Sequence, residues 1–335
     1  MKKILSFMMI LVLLFTIVGC SKQEVKDESV KEEKVVEKQV VKIAGLKGPT
    51  SIGMIKMFEE KPLLGENIDA SYEVAATPDL LVSKILSKEV DFAALPTNVA
   101  AKLYNKGAGY KLAAVNTLGV LYMMTQGEEI NNWEELKGKK INVIAKGSNP
   151  DVIFKYLLEK NGLDPEKNVM LDYTLSHAEL AQAVAAGKID IAVLPEPFVT
   201  MVSMKNENAK IVMNIQKEWK KALGEDAALL QGCLVVREEF AQKNPEVVKN
   251  FLVEYEKSID WVNENTKEAG MLVEKHGIGM KAKMAELAIP RCNIVFKDTQ
   301  NSQKTVDEYL KVIYDFSAKD VGGKLPDENF YYNQK

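Results

Sequence analysis

Four short segments hold the residues whose types suit chemistry: Lys47–Ser51, Leu95–Asn98, Lys146–Asp151 and Pro195–Phe198. Each is rich in Gly, Pro, Ser, Thr or Asn, so each exposes backbone N–H groups beside short hydroxyl or amide side chains. Thr50, Ser51, Thr97, Asn98, Ser148 and Asn149 are therefore candidate contacts to a small polar ligand. Helix capping is the competing use for Thr50, Ser51, Ser148 and Asn149. Two acids share these loops. Asp151 and Glu196 would favour a ligand with an amino group or a protonated ring nitrogen, through a charge-assisted hydrogen bond. Asp151 equally suits the first turn of a helix, where the dipole favours a carboxylate. Phe198, Tyr104 and Tyr122 stand near strand ends and could stack on a flat ligand. Lys47 and Lys146 argue the other way, for an anion such as a sulfonate or carboxylate.

Nothing in the chain is arranged to break bonds. His177 and His276 lie far apart, outside any Gly-x-Ser-x-Gly or His-Glu-x-x-His context. His276 precedes Gly277 and reads as a helix C-terminal cap. The Lys47-Gly48-Pro49-Thr50 loop lacks the spacing of a phosphate-binding Walker loop. Two histidines and three cysteines, with no CxxC or HxxxH spacing, offer no metal site. No cofactor is expected. With 44 Lys and Arg against 47 Asp and Glu, the net charge of −3 does not recruit nucleic acid.

The loops need elements to hold them. A chain of 335 residues, 47% hydrophobic and 27% charged, has length for two domains and an ample core. Val40–Leu46, Asp69–Ala75 and Val90–Leu95 read as strands, with helical spacing between them through Leu80, Leu81, Ile85 and Leu86. Ile141–Ala145 and Asn168–Leu175 are further strands, and Ala178–Ala186 is an Ala-rich helix. Alternating strand and helix predicts an α/β fold with mainly parallel sheets flanked by helices. The pattern also repeats. Lys47-Gly48 returns as Lys146-Gly147, and Asp91, Ala93, Leu95 and Pro96 return as Asp190, Ala192, Leu194 and Pro195, all 99 residues later. A duplicated architecture follows, and ligands of open α/β sheets bind at the carboxyl ends of the strands. Asn244-Pro245-Glu246 then signals a long amphipathic helix with Asn244 as its N-cap. Trp219, Trp261, Met123 and Met124 read as packing residues.

The N-terminus sets the compartment. Lys2 and Lys3 precede an apolar run, Ile4–Val18, of signal-peptide length. Ile17-Val18-Gly19-Cys20 resembles the lipobox of bacterial lipoproteins, which implies cleavage after residue 19 and acylation of Cys20. Two or three acyl chains give stable membrane attachment. Residues 20–40 then carry a charged, core-free tether.

The segments Lys88–Ala93, Leu136–Val143 and Gly187–Val193, with Pro195-Glu196-Pro197, Cys233–Phe240 and Asn244-Pro245-Glu246, resemble the substrate-binding lipoproteins of bacterial ABC importers. The likeness is to the nitrate, aliphatic-sulfonate and thiamine-precursor binding family, and covers about residues 41–265. It implies the two-lobed type II periplasmic-binding-protein fold, with lobe 1 made of 41–135 plus 232–335 and lobe 2 of 138–228. A thiamine-precursor-like heterocycle, or a sulfonate or other small anion, would be captured by cleft closure and delivered by a monomeric protein to an ABC permease and its ATPase. The first loop, Lys47–Ser51, departs from the patterns associated with sulfonate or nitrate binders. Relatives of this fold that are enzymes of pyrimidine-precursor or menaquinone chemistry, and a surface lipoprotein without transport, are the alternatives. Export would also permit Cys233 and Cys292 to pair.

Overall fold

The computed structural model describes residues 38–333. The expected signal peptide, Cys20 and nearly all of the expected tether lie outside the described residues. The first half runs β1 (Gln39–Leu46), α1 (Pro49–Ile52), α2 (Ile55–Glu60), β2 (Ile68–Ala75), α3 (Pro78–Leu86), β3 (Phe92–Pro96), α4 (Thr97–Asn105) and β4 (Tyr110–Thr117). Next come β5 (Leu121–Gln126), β6 (Lys140–Asn142), α5 (Asn149–Lys160), β7 (Met170–Asp172), α6 (His177–Ala185), β8 (Ile191–Pro195), α7 (Phe198–Lys205), β9 (Ala209–Asn214) and α8 (Ile215–Leu223). The chain closes with β10 (Gly232–Arg237), α9 (Glu238–Lys243), α10 (Pro245–Glu264), α11 (Thr266–Lys275), α12 (Ala282–Ala288), β11 (Ile294–Asp298) and α13 (Thr299–Phe316).

Two sheets result. The first has order β11-β4-β10-β3-β1-β2 and the second β7-β6-β8-β5-β9. Strands β1, β2 and β3 pair in parallel, as do β6, β7 and β8. Besides β11, which runs antiparallel to β4, the antiparallel members share one cause. After β4 the chain crosses to the second sheet, so β5 starts at the inter-sheet side and runs away from it, antiparallel to β8 and β9. Strand β10 makes the return crossing and is antiparallel to β3 and β4 for the same reason. Each sheet is thus mixed rather than purely parallel, and the carboxyl ends of β1, β3, β6 and β8 turn toward the other sheet. The expected range 41–135 set β5 on the side of the first sheet; its hydrogen bonds are to β8 and β9 of the second.

The 99-residue repeat is visible in the elements themselves. Helix α3 spans 78–86 and α6 spans 177–185; β3 spans 92–96 and β8 spans 191–195. Period-two burial explains how each sheet is covered on both faces. In the first, Ala44, Leu46, Ala93, Leu95, Cys233 and Val235 face one core. Their neighbours Ile43, Phe92, Ala94, Leu234 and Val236 face another, built with α10, where Phe92 stacks on Phe251 with ring centroids 4.0 Å apart. Asp91 locks this sheet at its base. Its carboxylate accepts from the Lys42 backbone N–H at 2.9 Å and from Arg237 Nη2 at 2.6 Å.

Three expectations change here. Asn244 precedes α10 but makes no side-chain cap; its amide donates to the Phe240 carbonyl instead, ending α9. His276, by contrast, closes α11 as expected, and its ring bonds Glu59 at 2.8 Å. Cys233 and Cys292 are free thiols. Cys233 belongs to the core on one face of the first sheet and Cys292 to the core on the opposite face, so the sheet separates them. Trp219, Met123 and Met124 are buried as packing residues, while Trp261 is only half-buried, with Lys56 Nζ 4.9 Å from its ring.

Candidate functional site

The loops after β1, β3, β6 and β8 carry the candidate residues, and the structure sorts these into three groups. Ser51, Thr97, Ser148 and Asn149 form the first. Ser51 Oγ, Thr97 Oγ1, Ser148 Oγ and Asn149 Oδ1 are buried and find no hydrogen-bond partner among the described residues. Ser51 and Thr97 are wholly buried. Buried polar atoms are almost always paired, so unpaired ones gathered on facing loops point to a bound group. The backbone admits these side chains only because a glycine yields: a Cβ on Gly45 would lie 2.1 Å from Ser51 Oγ. Gly232 yields in the same way to Thr50, whose Cγ2 would stand 2.6 Å from an added Cβ. Thr50 is half-buried, and its carbonyl accepts from Asn116 Nδ2 at 3.3 Å.

Capping does not account for this first group. Neither Gly48 before α1 nor Ser148 before α5 makes a side-chain cap hydrogen bond, and Pro96 before α4 has no side chain to make one. The first turns of α4 and α5 thus lack side-chain caps beside Thr97 and Ser148, although the Thr97 N–H donates to the Gln231 carbonyl at 3.4 Å and the buried Asp151 carboxylate occupies the first turn of α5.

The two acids form the second group, and both are engaged internally. Asp151 is buried, with Oδ2 accepting from the Gly147 backbone N–H at 2.7 Å and Oδ1 from the Tyr173 hydroxyl at 2.6 Å. Lys155 adds a contact at 3.5 Å. Asp151 thus fastens the loop that carries Ser148 and Asn149. The same bond, with burial as the larger cause, holds the Tyr173 phenol far above its ordinary range. Glu196 has a side chain 0% exposed and accepts from Arg291 Nε at 2.5 Å, from Thr200 Oγ1 at 2.8 Å and from the Thr200 N–H at 3.2 Å. The expected acid facing a ligand is a paired acid.

Asn98 and the aromatic candidates form the third group. Asn98 Nδ2 donates to the Asp320 carbonyl at 3.4 Å, toward the C-terminal segment. Tyr104 does likewise, donating to Asp327 at 2.5 Å. Phe198 is half-buried against His177, ring centroids 5.8 Å apart, and packs on the core formed by α6 and α7. Burial lowers the pKa of that imidazole. Tyr122 donates to the Arg291 carbonyl at 2.9 Å. Lys146 sits over the Tyr173 ring at 5.6 Å, and Lys47 is exposed.

Sequence reasoning missed Arg291, Tyr309, Asn116, Gln216 and Gln231. Asn149 Nδ2 donates to the Tyr309 hydroxyl at 2.6 Å, so α13, which packs on β4 and β11, also holds the second sheet's loop. Gln216 Oε1 accepts from the backbone N–H groups of Gly119 at 3.1 Å and Leu229 at 3.0 Å, one on each crossing between the sheets. Gln231 Oε1, next to β10, is a further buried acceptor without a partner among the described residues. Arg291 and Tyr309 carry no local motif. Gln231 and Asn116 lie at strand ends, and that position was the one signal available for them. Among the described residues no group of three or more His, Cys, Asp or Glu could hold a metal ion, and no helix is long and apolar enough to cross a membrane.

Comparison with known proteins agrees with this geometry. A crystal structure described as an ABC transporter from Parabacteroides distasonis superposes with a TM-score of 0.77 at 27% identity, covering 89% of this chain and 100% of that one. The periplasmic aliphatic sulphonate binding protein SsuA of Escherichia coli shares the fold, with a TM-score of 0.69 at 15% identity over 89% of this chain and 93% of its own. A Bacillus subtilis protein provisionally named binding protein YtlA is 23% identical over 261 residues, 76% of this chain and 72% of its own. Another from that organism, provisionally named for aliphatic sulfonates, is 28% identical over 174 residues, 52% of this chain and 48% of its own. The NMT1/THI5-like family model matches residues 65–269, and the chain belongs to that family.

Proposed function

We propose that this protein is the extracytoplasmic solute-binding component of an ABC importer, taking one small solute between its two lobes. The observation that carries the reading is the set of four buried polar atoms without a partner among the described residues, on Ser51 and Thr97 from the first sheet's loops and Ser148 and Asn149 from the second's. Each lobe supplies half of the contacts, so a solute would be gripped fully only with the lobes together. The lobes are the two sheets with their helices, exchanging chain at 118–120 and 224–231. The relatives named as binding proteins, and the ABC transporter of the same fold, support the role.

The solute is a small anion or an uncharged polar molecule rather than an aminated heterocycle. A cation would need an acid, and both acids of these loops already have partners. Hydroxyl groups beside the N-termini of α4 and α5 suit an oxyanion. Calorimetry with an alkanesulfonate, a short carboxylate and an aminated pyrimidine tests the charge preference. Heat of binding with either anion is expected; binding of the pyrimidine alone would overturn this assignment. Attachment through an acylated Cys20, a monomeric state, and docking on a permease with its ATPase complete the proposal. Mass spectrometry of the membrane fraction tests the first of these, since an unmodified Cys20 would refute it.

A further inference from the structure

Among the described residues, Arg291 is the one of the first lobe that three residues of the second hold at once. Its Nε donates to Glu196 at 2.5 Å, its Nη2 donates to Thr200 Oγ1 at 2.5 Å, and its carbonyl accepts from the Tyr122 hydroxyl at 2.9 Å. Glu196 and Thr200 stand at the start of α7 and Tyr122 on β5, all belonging to the second sheet's lobe. Arg291 follows α12 and is anchored beneath by buried Ile289 and Cys292, which pack in the first lobe's outer core. The Arg291 side chain is 31% exposed, so it sits at the rim, and the Glu196 side chain it meets is wholly buried.

We propose that Arg291 is a closure latch: by pairing with Glu196 across the cleft it sets how long the lobes stay together, without touching the solute. The inference rests on the cleft-closing reading and adds the residue that determines closed-state lifetime. The physical asymmetry is that of a buried ion pair. With the lobes apart, Glu196 and Arg291 are each hydrated at little cost. With them together, Glu196 is fully desolvated and Arg291 only in part, so it is the carboxylate that needs its partner. A chain lacking Arg291 would close over a buried, uncompensated carboxylate, so its closed state is penalised. A chain lacking both charges would close over a neutral pair and recover. Apparent affinity scales with the fraction of closure-competent protein, so the latch acts equally on every solute the pocket accepts.

Single-molecule energy transfer on the full chain tests this without any solute. Donor and acceptor are attached to keto-bearing side chains incorporated at the exposed positions 60 and 207, one per lobe, leaving the cysteines untouched. Arg291→Met is expected to shorten closed-state dwell times tenfold or more, about 1.4 kcal/mol, with the closing rate little changed. Arg291→Lys, which keeps the charge but only one donor group, falls between. Glu196→Gln with Arg291→Met should recover much of the dwell time, which a merely structural loss would not allow. Unchanged dwell times in Arg291→Met, or a double variant as short-lived as the single one, overturns the latch. Failure of every solute to bind a chain that opens and closes as described would instead refute the solute reading and leave the latch standing.

Discussion

Replacing Asp151 by Asn separates a scaffolding acid from a ligand-binding one. Asp151 makes two charge-assisted hydrogen bonds, to the Gly147 N–H and the Tyr173 hydroxyl, and its side chain is 3% exposed, so solvent screens it little. Hydrogen bonds to a charged group contribute about 1.5–3 kcal/mol each. Asn keeps an oxygen for the Gly147 N–H and can turn its amide toward Tyr173, whose hydroxyl then accepts. The charge is lost from both bonds, but only part of each bond. The net cost is about 1.5–3 kcal/mol of folding stability, read as a lower urea midpoint at unchanged slope. Solute affinity should fall too, because the loop carrying Ser148 and Asn149 loosens, yet the preference between anionic and cationic solutes should stay as it was. An unchanged midpoint together with a reversed charge preference would refute the reasoning and return Asp151 to the ligand.

Three other outcomes follow from the same geometry. Ser51→Ala and Asn149→Ala should each weaken solute binding by roughly two- to tenfold, the range of one neutral hydrogen bond, whereas Asn98→Ala should leave it unchanged; titration calorimetry ranks the three, and equal losses would contradict the sorting of these loops. Cys233 and Cys292 should react with a thiol reagent only after denaturation and without prior reduction, since both are buried and burial pushes the Cys233 thiol up to about 12; a denatured chain with neither thiol reactive until reduced would show that they pair. Burial also pushes the phenols of Tyr110, Tyr255 and Tyr309 well above the ordinary value. The folded chain therefore keeps protons that the unfolded chain loses near pH 10, so stability is full below about pH 10 and falls as pH rises beyond it. Melting temperature and tyrosinate absorbance followed together check this, and tyrosinate of these three forming before unfolding would contradict it.

Much of the fold was legible because its cues are local. Alternation placed β3 and α6 within two residues of their observed bounds, and the 99-residue repeat marked Asp190–Pro195 as the counterpart of β3. The placement of β5 was not legible: nothing in Leu121–Gln126 says that its partners are β8 and β9, since pairing depends on where the chain crosses between sheets. The loops that hold the site were readable as strand ends, and Ser51, Thr97, Ser148 and Asn149 were named from them. Roles that depend on long-range partners were not. Glu196 was read as free because its partner, Arg291, lies 95 residues away in a segment with no motif of its own. Cys233 and Cys292 resisted for a related reason. The face of the sheet each one meets is fixed by packing of α10 to α12, which sequence spacing does not encode.

Native mass spectrometry of the protein purified from its own host without unfolding tests the central claim most directly. The account predicts a species carrying one small bound molecule, anionic or uncharged, that is lost or depleted when Ser51 and Asn149 are both replaced by Ala. A protein that emerges empty, and whose lobe-to-lobe distance responds to no fraction of the host's small-molecule extract, would contradict it.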